Sequence, residues 1–143
     1  MTRLSLAILL IWFGLALGLS CIETPLKFQA PGVTLPIGLG IGRLVFRALH
    51  WIEQIFILVI CVDCLWNRRR QMLLVFACII LLCIAQQYGL YPTMATRTDQ
   101  IIRGAHPPAT WHHQTYIALE CFKLVALISL GVWGLKKIES QNT

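Results

Sequence analysis

Acidic side chains are scarce in this sequence: there are six Asp and Glu in 143 residues, and charged residues of both signs reach only 13%. A soluble domain carries about 25%, so a surface facing water all round is excluded. Loop cysteines are missing as well. The six cysteines, at 21, 61, 64, 78, 83 and 121, fall mostly inside apolar runs, which argues against the disulfide framework of a small secreted domain and for buried free thiols. No repeat, low-complexity tract or Ser/Gly linker interrupts the chain, so a single unit over residues 1–143 is expected. Catalytic signatures are also absent. There is no nucleophile elbow, HExxH, P-loop or dinucleotide fingerprint, and neither an enzyme nor a cofactor is expected.

What the sequence does have is apolar length, since 57% of its residues are hydrophobic. A span needs about 20 apolar residues, and four segments qualify, at about 4–22, 41–66, 71–91 and 113–135. Backbone groups have no water partners in hydrocarbon, so each must be a helix. The expected fold is therefore all-α, a four-helix transmembrane bundle with the lipid bilayer as its first partner. Gly18-Leu19-Ser20 before Cys21 satisfies a small-x-small cleavage pattern, but a single preceding arginine makes a weak basic region, and the segment reads as a retained span.

The net charge of +6 is not a nucleic-acid signal. Six of the twelve basic residues (Arg3; Arg68, Arg69 and Arg70; Lys136 and Lys137) flank apolar runs, where they mark topology. Their clustering places both termini in the cytoplasm, in a bacterial inner membrane. All six prolines and all four histidines then lie on or toward the outer side, in or near two connections, ETPLKFQAPGVTLPIGLG and PTMATRTDQIIRGAHPPATW. Both read as structured irregular loops, the second with a short helix at 98–103. Gly38, Gly40 and Gly42 read as a flexible start to the second helix. Tyr88, Tyr91 and Trp111 outside, and Trp66 and Trp133 inside, suit the two interfaces.

RLVFRALHWIEQ, residues 43–54, carries charge into the second span. At 100 degrees per residue, Arg43, Arg47, His50, Gln54 and Cys61 fall within roughly 40 degrees of one line, with Glu53 to one side. The fourth span repeats the design, with His113, Tyr116, Glu120 and Lys123 in a sector of about 80 degrees. Charges at membrane depth are costly unless paired and face the bundle interior. Arg47 is therefore expected to pair with Glu120, and Arg43 with Glu23, while Gln86 and Gln87 complete a polar ring. Two roles fit this ring. It could line an outward-facing cleft that binds or moves a small anion or an anionic lipid headgroup through Arg43, Arg47, His50, Glu53, Gln54, Tyr116, Glu120, Lys123 and Glu23. Alternatively, it could be a packing network in a non-catalytic scaffold that meets a membrane-protein partner or a second copy of itself. A metal reading would use His50, His113 and Glu120, joined by His112 or His106. Cys61-Val62-Asp63-Cys64 is a CxxC inside a helix, read as two small apolar side chains, with Asp63 a cap or a partner for the arginines after it.

The stretches IETPLKFQAPG and GRLVFRALHWIE, a basic hairpin, YPTMATRTDQIIRG and the histidine-led HHQTYIALECFK together cover most of the chain. In these it resembles a group of small four-span bacterial membrane proteins of unknown function, a group loosely similar to the membrane part of copper-resistance D proteins. The resemblance implies the four-helix fold and a polar outer cleft, and it supplies no activity. Copper handling would be the metal version of the site, yet the chain has only three methionines and no methionine-rich loop.

Overall fold

The computed structural model describes residues 1–140. Four helices are each long and apolar enough to cross a membrane: α1 (Arg3–Gln29), α2 (Leu35–Trp66), α3 (Arg70–Ile102) and α4 (His112–Glu139). Among the described residues there is no strand. The span ends near the 67–69 hairpin lie close to where hydropathy places them, but at the opposite end three of the four helices run further. α1 continues past 22 to Gln29, α2 starts at Leu35 instead of 41, and α3 continues past 91 to Ile102. Most of the two expected irregular connections is thus helical.

Proline explains the difference. It has no N–H, and its ring collides with the carbonyl four residues back, so a proline inside an apolar run reads as the end of a helix. Here Pro25 and Pro92 each follow a stretch of wider π-helix, Gly18–Glu23 in α1 and Ala85–Leu90 in α3. Thr24 N donates to Leu19 O and Tyr91 N to Gln86 O, five residues back in each case. The wider turn makes room for the ring. In α1 the Thr24 hydroxyl adds a second bond to Leu19 O, at 3.0 Å. The two helices share one plan: fifteen α-helical residues (Arg3–Leu17, Arg70–Ile84), six π-helical residues, then a proline in second place. At about 1.5 Å per residue α3 exceeds the roughly 30 Å hydrocarbon layer. Its last twelve residues, Tyr91–Ile102, are half polar, as suits a segment that leaves it.

The start of α1, the end of α4 and the 67–69 hairpin meet at one end. Arg68 turns the chain there with φ of 52°, a left-handed conformation that costs a non-glycine residue about 1–2 kcal/mol. Thr2 and Ser5 of α1 donate their hydroxyls to Asp63 near the end of α2, and Asn67 donates to the same carboxylate at 3.0 Å. Asp63 thus ties two helices together instead of pairing with the arginines that follow it. α1 packs most extensively on α4, because α4 presents Gly131 and Gly134 to it. A Cβ at Gly134 would lie 1.7 Å from Met1 Cε, and one at Gly131 2.9 Å from Leu10 Cδ2.

The apolar core is centred on Trp12, whose ring meets Phe56 and Phe76 at centroid distances of 6.0 and 6.1 Å. Leu9, Ile60, Ile79 and Leu127 close around it. Leu44, Leu58, Leu74, Leu81 and Phe122 stay exposed, as lipid-facing side chains should. The cysteines divide between these surfaces. All six are free; Cys64 and Cys83 are buried, while Cys21, Cys78 and Cys121 are exposed, contrary to the expectation of burial.

Candidate functional site

The inward face of α2 is set by Gly38, Gly42, Leu49, His50, Glu53, Ile60 and Cys64. At 100 degrees per residue the centre of that face lies roughly 100 degrees from the line through Arg43, Arg47 and Gln54. Glu53, read from the sequence as lying to one side, is therefore at the centre. Arg47 is exposed and makes no side-chain hydrogen bond or ion pair among the described residues, so the expected Arg47–Glu120 pair does not form. In α4 the buried face does coincide with the polar sector, and Tyr116, Glu120 and Lys123 are all buried.

Their meeting point is an ionic cluster within the bundle. Lys123 is fully buried, with Nζ 2.6 Å from Glu53 Oε1 and 2.9 Å from Glu120 Oε2. Trp12 Nε1 donates to Glu53 Oε1 at 2.9 Å. Ser20 Oγ donates to Glu120 Oε1 at 3.0 Å, and Gln86 Nε2 to Glu120 Oε2 at 2.8 Å. Gln87 takes no part. Every helix contributes: Trp12 and Ser20 from α1, Glu53 from α2, Gln86 from α3, and Glu120 and Lys123 from α4. Beside the cluster, His50 Nε2 and the Tyr116 hydroxyl share a hydrogen bond of 3.1 Å, and Tyr91 stands edge-on to His50 at 4.9 Å. Gln54 reaches the Tyr88 hydroxyl at 3.4 Å, outside the cluster.

Toward the end of the bundle opposite the termini, the helices part around a cavity of about 620 Å³. Its wall is mainly apolar, with Phe28, Leu39, Phe46, Met94 and Ile117 contributing, and Glu120 and Tyr116 also reach it. Three cationic side chains line it: Lys27, Arg43 and Arg97. Lys27 pairs with Glu23 at 3.1 Å, so Glu23 serves the helix end next to it and not Arg43. Arg43 pairs instead with Asp99 of α3, and its Nε is buried without a partner. Arg97 donates to the carbonyls of Pro107 and Pro108 and to the Thr110 hydroxyl, holding the 103–111 loop against the cavity. Gly38 and Gly42 form a seat here and not a flexible start. A Cβ at Gly38 would lie 2.2 Å from Phe28 Cε1, and one at Gly42 2.8 Å from Lys27 Nζ.

Of the residues singled out from sequence, Glu53, Glu120 and Lys123 come together in the cluster, with His50 and Tyr116 beside it. Arg43 and His113 line the cavity. Arg47 and Gln54 belong to neither, and Glu23 only supports Lys27. His50, His113 and Glu120 do not assemble as metal ligands, and among the described residues no three His, Cys, Asp or Glu side chains do. Sequence reasoning missed Trp12, Ser20, Arg97 and Asp99. Ser20 was detectable as a polar residue in an apolar run, whereas Arg97 and Asp99 sit in a stretch that Pro92 made look like loop. No family model matches the chain, and no match was found among curated proteins or solved structures.

Proposed function

We propose that this multi-pass membrane protein binds an amphipathic anion, such as a fatty acid or the acidic head and first acyl carbons of a lipid, in a cavity that opens on the outer side. The carrying observation is the composition of the cavity: an apolar wall with Lys27, Arg43 and Arg97 around it. A small oxyanion would gain little from that wall. An acyl chain gains about 0.8 kcal/mol for each CH2 it buries. Arg43 adds a buried N–H that has no acceptor among the described residues, and a carboxylate or phosphate oxygen would supply one. Helix packing is a separate task, carried by the Glu53–Lys123–Glu120 cluster deeper in the bundle.

The outward direction rests on the basic hairpin and tail at the opposite end. The test is thermal unfolding of purified protein with oleate, with the uncharged monoolein and with inorganic phosphate. Oleate should raise the melting temperature well above the other two, because a ligand at 100 times its Kd stabilises by about 2.7 kcal/mol. The Arg43→Gln plus Arg97→Gln variant should lose most of that rise. Equal stabilisation by monoolein would remove the anion from the proposal, and phosphate acting as strongly as oleate would remove the acyl chain.

A further inference from the structure

The buried cluster does not balance electrically. Glu53 and Glu120 together carry two negative charges and Lys123 one positive, so one negative charge is left over among side chains that are at most 5% exposed. A net charge at membrane depth is costly by several kcal/mol. Among the described residues, the groups facing the two carboxylates include no second fixed cation. α1 brings Ser20 and Trp12, α2 brings His50, α3 brings Gln86 and Cys83, and α4 brings Tyr116 besides Lys123. Arg43 is engaged with Asp99 and Arg47 is exposed.

A second, independent feature points the same way. Gln86 is 1% exposed and its Nε2 donates to Glu120, yet among the described residues Oε1 of the same amide has no donor. A site with one surplus negative charge and one idle acceptor lacks a cation that can also donate a hydrogen bond. A sodium ion fits poorly, because it would need a cage of oxygens in a place where the Lys123 ammonium already sits 2.9 Å from Glu120. A proton needs no cage.

We propose that the Glu53–Lys123–Glu120 cluster is a proton-binding site that takes up one proton from the cavity through Glu120. Uptake turns one carboxylate into a carboxylic acid, with the proton supplied by water in the cavity that Glu120 lines. The new O–H requires an acceptor, and a half-turn of the Gln86 amide places Oε1 where Nε2 stands, giving up the 3.4 Å bond from Nε2 to the Tyr116 carbonyl. The Lys123–Glu53 pair remains, and the cluster becomes neutral.

The test uses the full-length protein without any ligand, so its outcome is independent of the amphiphile proposal. Infrared spectra in detergent at neutral pH should show the absorption of a protonated carboxyl group that shifts in heavy water. Glu120→Gln and Glu53→Gln should each abolish it, because either change leaves a single acid balanced by Lys123. Glu139→Gln, at the other end of the bundle, should leave it intact. Gln86→Met should keep the band but shift its frequency, since the acid loses its acceptor. Absence of the band from the wild type would overturn the proposal and assign the missing charge to a His50 imidazolium. Persistence of the band at full size in both Glu→Gln variants would overturn it too. So would stabilisation by sodium chloride over choline chloride at equal ionic strength, which would identify a metal-ion site.

Discussion

At the scale of the residue, burial separates charges that look alike in the sequence. Arg47 and Lys123 are both cations within apolar helices, yet one is exposed and the other touches two carboxylates. Removing one partner from a buried ionic group costs about 3–5 kcal/mol, whereas a surface change usually stays within about 0.5 kcal/mol. Lys123→Met should therefore strongly destabilise the folded protein in a reversible denaturation assay, and Arg47→Gln should leave it almost unchanged. A large loss on Arg47→Gln would mean that Arg47 is held by something other than the contacts described. The polar sector of α4 was legible because its charged and buried faces are the same. That of α2 was misplaced because Gly38, Gly42 and Leu49 define its inward face, and a search for polar stripes gives glycine no weight.

At the scale of the element, helices α1 and α3 show how a proline misleads. Read as a breaker, Pro92 turned a helix reaching Ile102 into a span ending near 91 and hid Asp99, the partner of Arg43. No pattern of single residues announces a π-helical turn, so this part of the fold was not legible, although the number of helices and their ends near the 67–69 hairpin were. The hairpin between α2 and α3 offers a test of backbone conformation. Glycine adopts positive φ without the steric cost that Arg68 bears. Arg68→Gly should stabilise the protein by up to about 1 kcal/mol, while the β-branched Arg68→Val should destabilise it by at least as much. The α1–α4 contact is equally specific. Gly134→Leu must displace Met1 and Leu6, and overpacking of this kind costs about 1–3 kcal/mol. A lowered melting temperature is the expected reading.

At the scale of the whole molecule, charge is distributed along the bundle axis in three zones. The end with the termini carries Arg3, Arg68, Arg69, Arg70, Lys136 and Lys137. That clustering predicts that a reporter fused after Thr143 will report cytoplasm and that a cysteine placed at Pro107 will react with a membrane-impermeant reagent from outside. The reverse labelling would turn the cavity toward the cytoplasm. The other two zones are the cavity, with its cations, and the ionic cluster of Glu53, Glu120 and Lys123. An anion drawn in by Lys27, Arg43 and Arg97 would find no cation beyond them except Lys123, which Glu53 and Glu120 already hold, and then the apolar core around Trp12. On the proposed reading the cavity is a cul-de-sac for anions and not a thoroughfare: liposomes containing the protein should hold a chloride gradient as long as empty ones do.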